Sequence, residues 1–230
     1  KILTQCKAIR CEVIGGEQRL FLRDQAGIET MLVFDALLCA VGREARVTGY
    51  GLEELGINLL PTGTIETNDR LQTIYPNIYA CGDVVGPYQF THIAAHQAWY
   101  AAANGLFDMI KRFRVDYRVI PWSIFTDPEV AHVGLSEQEA QACKVNYEVT
   151  RFDLKELDRA ITDEAAYGFI KVLTVPGKDR ILGVTIVASH ASDLIAEFVL
   201  AMKHGLGLNK ILSTIHSYPS WSEANKYVAG

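Results

Sequence analysis

The chain has 230 residues, of which 49% are hydrophobic and 21% charged, and its formal net charge is −5. Such a composition is typical of a globular protein with one large or two medium domains. The acidic balance and the lack of a Lys/Arg block argue against a nucleic-acid partner, because phosphate binding needs clustered positive charge. No apolar run is long enough to span a bilayer, so no membrane partner is expected for this segment.

The cysteines are too scattered for a disulfide framework or a zinc site, since their number is odd and no C-x-x-C spacing occurs. We interpret them as structural thiols and predict a reducing, cytoplasmic setting. No signal peptide opens the chain, and because its first residue is not Met, the natural start is expected to lie upstream. The five residues are Cys6, Cys11, Cys39, Cys81 and Cys143.

The first 41 residues predict a β-meander. Segments 7–13, 19–22 and 30–34 are short, contain apolar residues and are separated by glycine turns, which favours antiparallel pairing. Residues 36–41 form a continuous apolar run that ends at Gly42-Arg43, and such a run is typical of a strand covered on both faces. A meander with one apolar face does not stand alone in water, so the chain is expected to begin inside a domain.

A short stretch around Asp83 carries the clearest site signal. Pro76-Asn77 predicts a turn, residues 78–81 predict a buried strand, and Gly82 then removes the side chain next to Asp83. A carboxylate at the carboxyl end of a buried strand lies where open α/β sheets bind ligands, and it can accept two hydrogen bonds from sugar-like hydroxyls. The alternative, an aspartate that only closes a turn, is equally open at this point.

An Ala-rich helix follows this stretch. The pattern from His92 to about Ile110 is helical, and Thr91 is a suitable N-cap. The free N–H groups at the helix start suit an anionic or electron-rich ligand, so Asp83 and the helix start can hold two parts of one extended ligand. The i, i+4 pair His92 and His96 would suit a metal, but no further ligand accompanies it, and we predict no metal site.

A charged segment, residues 111–118, predicts a solvated linker to a second half with antiparallel strands and helices. Before Asp83, the sequence predicts a short helix at 52–55, which ends at Gly56, and a strand at 64–67. The second half contains predicted strands at 123–126, 130–133, 147–152, 168–174 and 181–187, a capped helix from 136 and an amphipathic helix at 193–204.

Several motifs occur in a fixed order along nearly the whole chain. They are Ala40-Val41-Gly42-Arg43, Thr73 with Ile78-Tyr79-Ala80-Cys81-Gly82-Asp83, Thr91-His92-Ile93-Ala94, the run 125–135, Gly168-Phe169-Ile170-Lys171-Val172 and Ile181-Leu182-Gly183. In this order they resemble the carboxyl-terminal part of the flavin-dependent pyridine nucleotide–disulfide oxidoreductases, the family of dihydrolipoamide dehydrogenase, glutathione reductase and mercuric reductase. One such motif would be weak evidence for the family, whereas several motifs in the same order are strong evidence.

The resemblance implies part of an α/β, Rossmann-like FAD/NAD-binding domain followed by an α+β dimerisation domain. It makes residues 1–41 the end of the NAD(P)H-binding domain, 42–113 the carboxyl-terminal segment of the FAD-binding domain and 114–230 the dimerisation domain. A homodimer would form through residues from about 119 to 230.

The resemblance also implies the cofactor contacts. Asp83 would hydrogen-bond the ribityl chain of FAD, and the backbone of the segment from Thr91 to Ile93 would approach the flavin ring. The helix dipole there would stabilise negative charge on the reduced ring. The full set of implied cofactor-binding residues is Gly42, Arg43, Gly82, Asp83, Thr91, His92 and Ile93.

Two departures from the family qualify these expectations. The glycine-rich nucleotide loops and the redox-active cysteine pair have no match here. The resemblance therefore implies a carboxyl-terminal fragment of a longer enzyme, which on its own binds FAD weakly or not at all.

Members that reduce dithiols carry H-P-x-x-S-E near the end, in which the histidine is the acid–base group. Here the run begins with Tyr218-Pro219 and ends with Glu223, the acid that would orient the histidine.

Tyr218 therefore stands in the histidine position as the candidate catalytic residue, together with Glu223. A phenol with its ordinary pKa of about 10 is a poor base at neutral pH. Whether Tyr218 only lines a pocket or hydrogen-bonds the substrate stays open. His216, two residues earlier, is interpreted as structural. The Tyr218-Pro219 bond is a candidate for the cis form.

The predicted function is an FAD-dependent oxidoreductase. In the complete enzyme NAD(P)H would reduce FAD, FAD would reduce a cysteine pair, and electrons would pass to a disulfide, metal ion or other small acceptor beside Tyr218 and Glu223 of the partner chain. The missing histidine, also absent from mercuric reductase-like members, points away from lipoamide and glutathione. The alternatives are a dimerisation or binding module without activity, dihydrolipoamide dehydrogenase proper, and an NADH oxidase or other monothiol relative.

Overall fold

The computed structural model describes residues 1–230, which form two compact units, Lys1–Glu44 and Ala45–Gly230. The first unit is the predicted meander. Its strands are β1 (Cys6–Ile14), β2 (Glu17–Asp24) and β3 (Glu29–Phe34), paired antiparallel in the order β1-β2-β3. None of its residues is buried within this chain, so the meander has backbone pairing without an apolar core of its own.

The strand predicted at residues 36–41 is wrong. These residues follow β3 without pairing to any strand, and Leu38 is 90% exposed. A strand covered on both faces needs ladder partners for its N–H and C=O groups. Here β3 pairs with β2 alone, and no segment of this chain pairs with the apolar run.

Three further elements predicted before residue 90 are also replaced by turns. Residues 52–55 form turns instead of a helix, although Gly56 has the positive φ of +61° that such a turn requires. Residues 64–67 and 78–81 each contribute a single bridge residue instead of a strand, in the pairs Leu59↔Ile65 and Gln72↔Tyr79. Each of these two segments pairs with a neighbouring part of the chain through one bridge only, so no β-ladder of several residues forms.

The turns close over a small apolar cluster. Its buried members are Ile57, Ile65, Ala80 and Val85. The amide N–H of Ala80 donates to the carbonyl of Leu71 at 3.0 Å. Of the residues 78–81 predicted as a buried strand, only Ala80 is buried, and the stretch is held by turns and packing.

Helix α1 (Thr91–Phe107) follows, and the prediction that Thr91 is its N-cap is wrong. Phe90 occupies that position with extended backbone, and its carbonyl accepts the first helical hydrogen bond, from Ala94 N at 2.9 Å. The register starts one residue earlier because the chain leaves the extended form at Phe90, which places Thr91 inside the first turn. The helix also ends three residues before the predicted Ile110.

The second half is the predicted α+β domain. Five antiparallel strands lie in the order β4-β5-β8-β7-β6, and helices α2 to α6 complete the domain. The strands are β4 (Pro121–Ile124), β5 (Glu129–Gly134), β6 (Glu148–Asp153), β7 (Phe169–Thr174) and β8 (Ile181–Ala188). The helices are α2 (Glu137–Ala142), α3 (Asp158–Thr162), α4 (Ala191–Lys203), α5 (Leu208–Leu212) and α6 (Glu223–Ala229).

The main core lies between this sheet and its helices. Ile170, Val172, Val184 and Ile186 on the central strands are fully buried, and α4 adds the buried ring of Phe198. The turn signal at residues 176–179, between β7 and β8, and the single apolar face of α4 are the sequence patterns that predicted these elements. No helix in the chain combines the length and apolar character needed to cross a membrane.

Candidate functional site

The Asp83 turn presents a carboxylate that no other group of the chain satisfies. Gly82 has a φ of +81°, a conformation open to glycine, and its carbonyl accepts from Val85 N at 3.0 Å. The carbonyl of Val84 accepts from Ile65 N at 2.7 Å, which fixes the other side of the turn. The Asp83 side chain is half-buried and makes no hydrogen bond or ion pair. It is therefore available to accept from a ligand.

A buried glutamine fixes this turn against α1. Gln97 is fully buried, and its Oε1 accepts from the backbone N–H of Gly82 at 2.6 Å. Its Nε2 donates to the phenol oxygen of Tyr117 at 2.6 Å, and burial raises the pKa of that phenol. Sequence analysis missed Gln97. The available signal was its i+4 spacing from Ile93, which puts an amide on the buried face of the helix.

The first turn of α1 lies beside the same glycine. A Cβ added to Gly82 would come within 3.3 Å of the Ala94 side chain. The N–H groups of residues 91–93 have no acceptor in the chain, because the first helical bond is donated by Ala94. Ile93 is buried, whereas Thr91 and His92 are exposed. The arrangement combines an acceptor carboxylate with the positive end of a helix, and so suits a ligand that has both hydroxyls and an electron-rich group.

Neither histidine of this helix takes part in a metal cluster. The Nε2 atom of His92 lies 3.0 Å from the carbonyl oxygen of Pro121, and the His96 ring packs on Tyr100 with centroids 4.4 Å apart. No group of three or more His, Cys, Asp or Glu side chains in the chain has the arrangement of a metal site.

The carboxyl-terminal segment holds Tyr218 at the surface. Its side chain is 69% exposed, and its phenol donates to Oδ2 of Asp158, at the start of α3, at 3.0 Å. This hydrogen bond and the Asp158 charge raise the pKa of the Tyr218 phenol, and the charge of Glu223 adds to the effect. The group therefore stays protonated at neutral pH. The Tyr218-Pro219 peptide bond is cis.

Glu223 serves the turn that follows Tyr218. It is only 8% exposed; its Oε2 accepts from the backbone N–H of Ser220 at 3.1 Å, and its Oε1 accepts from the phenol of Tyr227 at 3.3 Å. It makes no hydrogen bond to Tyr218. The charge of Glu223 raises the pKa of Tyr227.

His216 belongs to a separate, mostly buried polar group. Its Nε2 lies 3.0 Å from Oε1 of Glu197, and its Nδ1 lies 3.0 Å from the carbonyl oxygen of Thr214. Asn225 donates to Oε2 of Glu197 at 2.9 Å. Both ring nitrogens of His216 thus have protein partners. Sequence analysis singled out neither Glu197 nor Asp158, because their partners lie 19 and 60 residues away along the chain.

Two family models match the chain in succession. The model described as pyridine nucleotide-disulphide oxidoreductase matches residues 2–98, and the model for the dimerisation domain of the same family matches residues 120–229. The chain belongs to the pyridine nucleotide–disulphide oxidoreductases. The predicted family and fold class are confirmed, and the dimerisation domain supports homodimer formation. Members of this family are FAD-dependent and use NAD(P)H as co-substrate.

Individual members of the family resemble the chain over nearly its full length. A dihydrolipoyl dehydrogenase of Chlamydia pneumoniae is 35% identical over 97% of the chain and 47% of its own length. One from Thermus scotoductus is 37% identical over 97% of the chain and 48% of its own. The chain thus spans about half the length of the curated relatives that it matches.

Solved structures of the family show the same fold. LpdA from Mycobacterium tuberculosis has a TM-score of 0.85 at 25% identity, and the match covers 97% of this chain and 48% of that one. The Cu(II) complex of the HOCl-induced flavoprotein disulfide reductase RclA from Escherichia coli has a TM-score of 0.83 at 25% identity, covering 97% and 49%.

The cofactor-binding and catalytic residues predicted from sequence lie in three separate parts of the chain. Gly82, Asp83 and the start of α1 are brought together as described. Tyr218 and Glu223 lie near each other, without a direct hydrogen bond. Gly42 and Arg43 lie in the first compact unit after β3; both are exposed, and Gly42 has a φ of +114°.

Proposed function

We propose that this chain supplies the ribityl and flavin contacts and the dimer interface of an FAD-dependent NAD(P)H oxidoreductase. The observation that carries the proposal is Asp83, a half-buried carboxylate without a protein partner, held beside three free N–H groups at the start of α1. A carboxylate that accepts nothing from its own chain keeps its full capacity to accept hydrogen bonds from a ligand.

The donor set fits FAD. The Asp83 carboxylate would accept from ribityl hydroxyls, and the N–H groups at Thr91, His92 and Ile93 would face the electron-rich ring. When bound, FAD supplies the two-electron chemistry that connects NAD(P)H to the acceptor. Gln97 holds the backbone of Gly82, the residue before Asp83, through its hydrogen bond to the Gly82 N–H. Gly42 and Arg43 remain proposed cofactor residues on the strength of the family motif.

We also propose the domain division at residues 1–41, 42–113 and 114–230, with homodimerisation through residues from about 119 onward. The family models support it, because the dimerisation match begins at residue 120. A cytoplasmic location is proposed in turn, supported by five cysteines that are all free.

The acceptor is proposed to be a disulfide, a metal ion or another small molecule that meets Tyr218 and Glu223 of the partner chain. Tyr218 keeps its proton at neutral pH, so it suits hydrogen bonding better than proton abstraction. Dihydrolipoamide dehydrogenase proper is the second candidate, and it is favoured by the identity to dihydrolipoyl dehydrogenases.

Anaerobic titration of the whole protein with NADH and with NADPH tests the oxidoreductase proposal. We expect the absorbance of oxidised flavin to disappear with a stoichiometric amount of one nucleotide, and to return when an excess of a disulfide acceptor is added. If the purified whole protein contains no flavin, or if its flavin responds to neither nucleotide, the oxidoreductase proposal is wrong. The alternative that then stands is a dimerisation module without activity.

Variants at Tyr218 separate the two candidate activities. If the phenol hydrogen-bonds the acceptor, Tyr218→Phe lowers turnover while flavin reduction by the nucleotide stays at the parental rate. If lipoamide chemistry is latent, Tyr218→His raises dihydrolipoamide oxidation above the parental level. Parental turnover of Tyr218→Phe would end the idea of a functional phenol.

A further inference from the structure

Two aspartates of α3 hold the segment that carries Tyr218. The phenol of Tyr218 donates to Oδ2 of Asp158 at 3.0 Å, at the first residue of the helix. The indole Nε1 of Trp221 donates to Oδ2 of Asp163 at 2.9 Å, just past its end. The segment from Tyr218 to Trp221, of which only the first two residues are exposed, is thus attached near both ends of one short helix.

The two carboxylates differ in the number of side chains that they bind. Asp163 also accepts from Nε of Arg159 at 2.9 Å, and this ion pair would persist without Trp221. Asp158 makes no ion pair, and the Tyr218 phenol is its only side-chain partner. The Asp158 carboxylate therefore has no side-chain partner that competes with the Tyr218 phenol.

This hydrogen bond determines what the phenol can offer to another molecule. A phenol has one hydrogen, and here that hydrogen points at Asp158. Only the oxygen lone pairs are left to face outward. The other titratable groups near the phenol are Glu223 and Tyr227 on α6, and neither provides a positive charge.

We propose that Asp158 is the positioning residue of this site: it fixes the orientation of Tyr218 and keeps its proton engaged, so that the phenol oxygen meets the substrate only as a hydrogen-bond acceptor. The inference rests on the proposed function for the presence of a substrate at Tyr218. A group that donates a hydrogen bond, such as the neutral thiol that forms when a disulfide acceptor is reduced, matches this surface. A thiolate or a carboxylate does not, because it faces lone pairs and two acidic side chains.

Titration of the Tyr218 phenol in the full chain tests the proposal directly. With tyrosine labelled at Cζ by carbon-13, the NMR signal of Tyr218 is the one that Tyr218→Phe removes. In Asp158→Asn we expect its pKa to fall toward the ordinary value of about 10. Asp158→Glu, which keeps a carboxylate, should recover part of the elevation.

Asp163→Asn is the matched control. It removes the negative charge of the group that accepts from Trp221, just past the end of α3, so the net charge changes as it does in Asp158→Asn. It should leave the Tyr218 pKa at the parental value. An equal pKa in the parent and Asp158→Asn would overturn the proposal, as would an equal fall in both Asn variants. The titration needs neither flavin nor turnover, so failure of the proposed oxidoreductase function would leave its result valid.

Discussion

The Asp83 carboxylate has no hydrogen-bond partner in the chain, whereas the N–H of the neighbouring Gly82 donates to a buried glutamine. Gln97 accepts from Gly82 N and donates to Tyr117, so one amide connects the turn, the helix and the segment after residue 111. Sequence patterns predicted Asp83, since a Gly-Asp after an apolar run is visible locally. They did not predict Gln97 or Asp158, because the identity of a partner 15 or 60 residues away depends on the folded backbone.

Replacing Gln97 should therefore cost more than losing a surface amide. Gln97→Met keeps the side-chain length but leaves the buried N–H of Gly82 without an acceptor, and we expect a loss of about 1–3 kcal/mol in the free energy of unfolding. Urea unfolding measures it. Gln141→Met is the matched control, because Gln141 also donates to a phenol, that of Tyr147 at 3.0 Å, but at an exposed site. Equal losses in both variants would contradict the assigned role.

The Tyr218 hydrogen bond also predicts a pH dependence of stability. The folded-state pKa of this phenol is raised, chiefly by Asp158, above the unfolded value of about 10. The contribution is thus fully present below pH about 10 and is lost as the pH rises through the folded-state value. In urea unfolding, the parent should exceed Tyr218→Phe in stability at pH about 8, and the difference should shrink above pH about 11. A difference independent of pH would count against the bond.

At the scale of elements, prediction succeeded where a strand finds its partners within the chain. The five strands of the second half pair with one another, and a strand was predicted at or overlapping the position of each. The apolar runs 36–41 and 78–81 have the same composition as strands, but the first pairs with no strand of this chain and the second makes only the single bridge Gln72↔Tyr79. Their structure depends on neighbours, which periodicity does not reveal.

The junction between β5 and α4 offers an element-scale test. Glu129, the first residue of β5, accepts through Oε2 from the backbone N–H of Ser192 at 3.0 Å and from its hydroxyl at 2.7 Å. The carboxylate thus caps the first turn of α4 from a neighbouring strand. We expect Glu129→Gln to lower the free energy of unfolding by about 1 kcal/mol. Glu148→Gln on β6 removes the same charge from a side chain without a partner, and should change little; a similar loss there would point to net charge instead.

At the scale of the whole molecule, the proposed flavin half-site and the dimerisation domain belong to one chain. The acceptor carboxylate and helix start lie between residues 82 and 93, whereas the exposed phenol follows more than a hundred residues later in the dimerisation domain. In the proposed homodimer, Tyr218 would face the acceptor that is reduced through the partner's flavin. The proposed activity therefore depends on two copies of the chain.

The central claim is that Asp83 holds FAD, and the flavin affinity of the whole protein tests it most directly. Asp83→Ala removes the acceptor, and Asp193→Ala removes an exposed aspartate of α4 as the control. We expect Asp83→Ala to weaken FAD binding by at least about tenfold, the loss of one hydrogen bond to a charged group. Asp193→Ala should retain the parental affinity. Parental flavin affinity in Asp83→Ala would contradict the account.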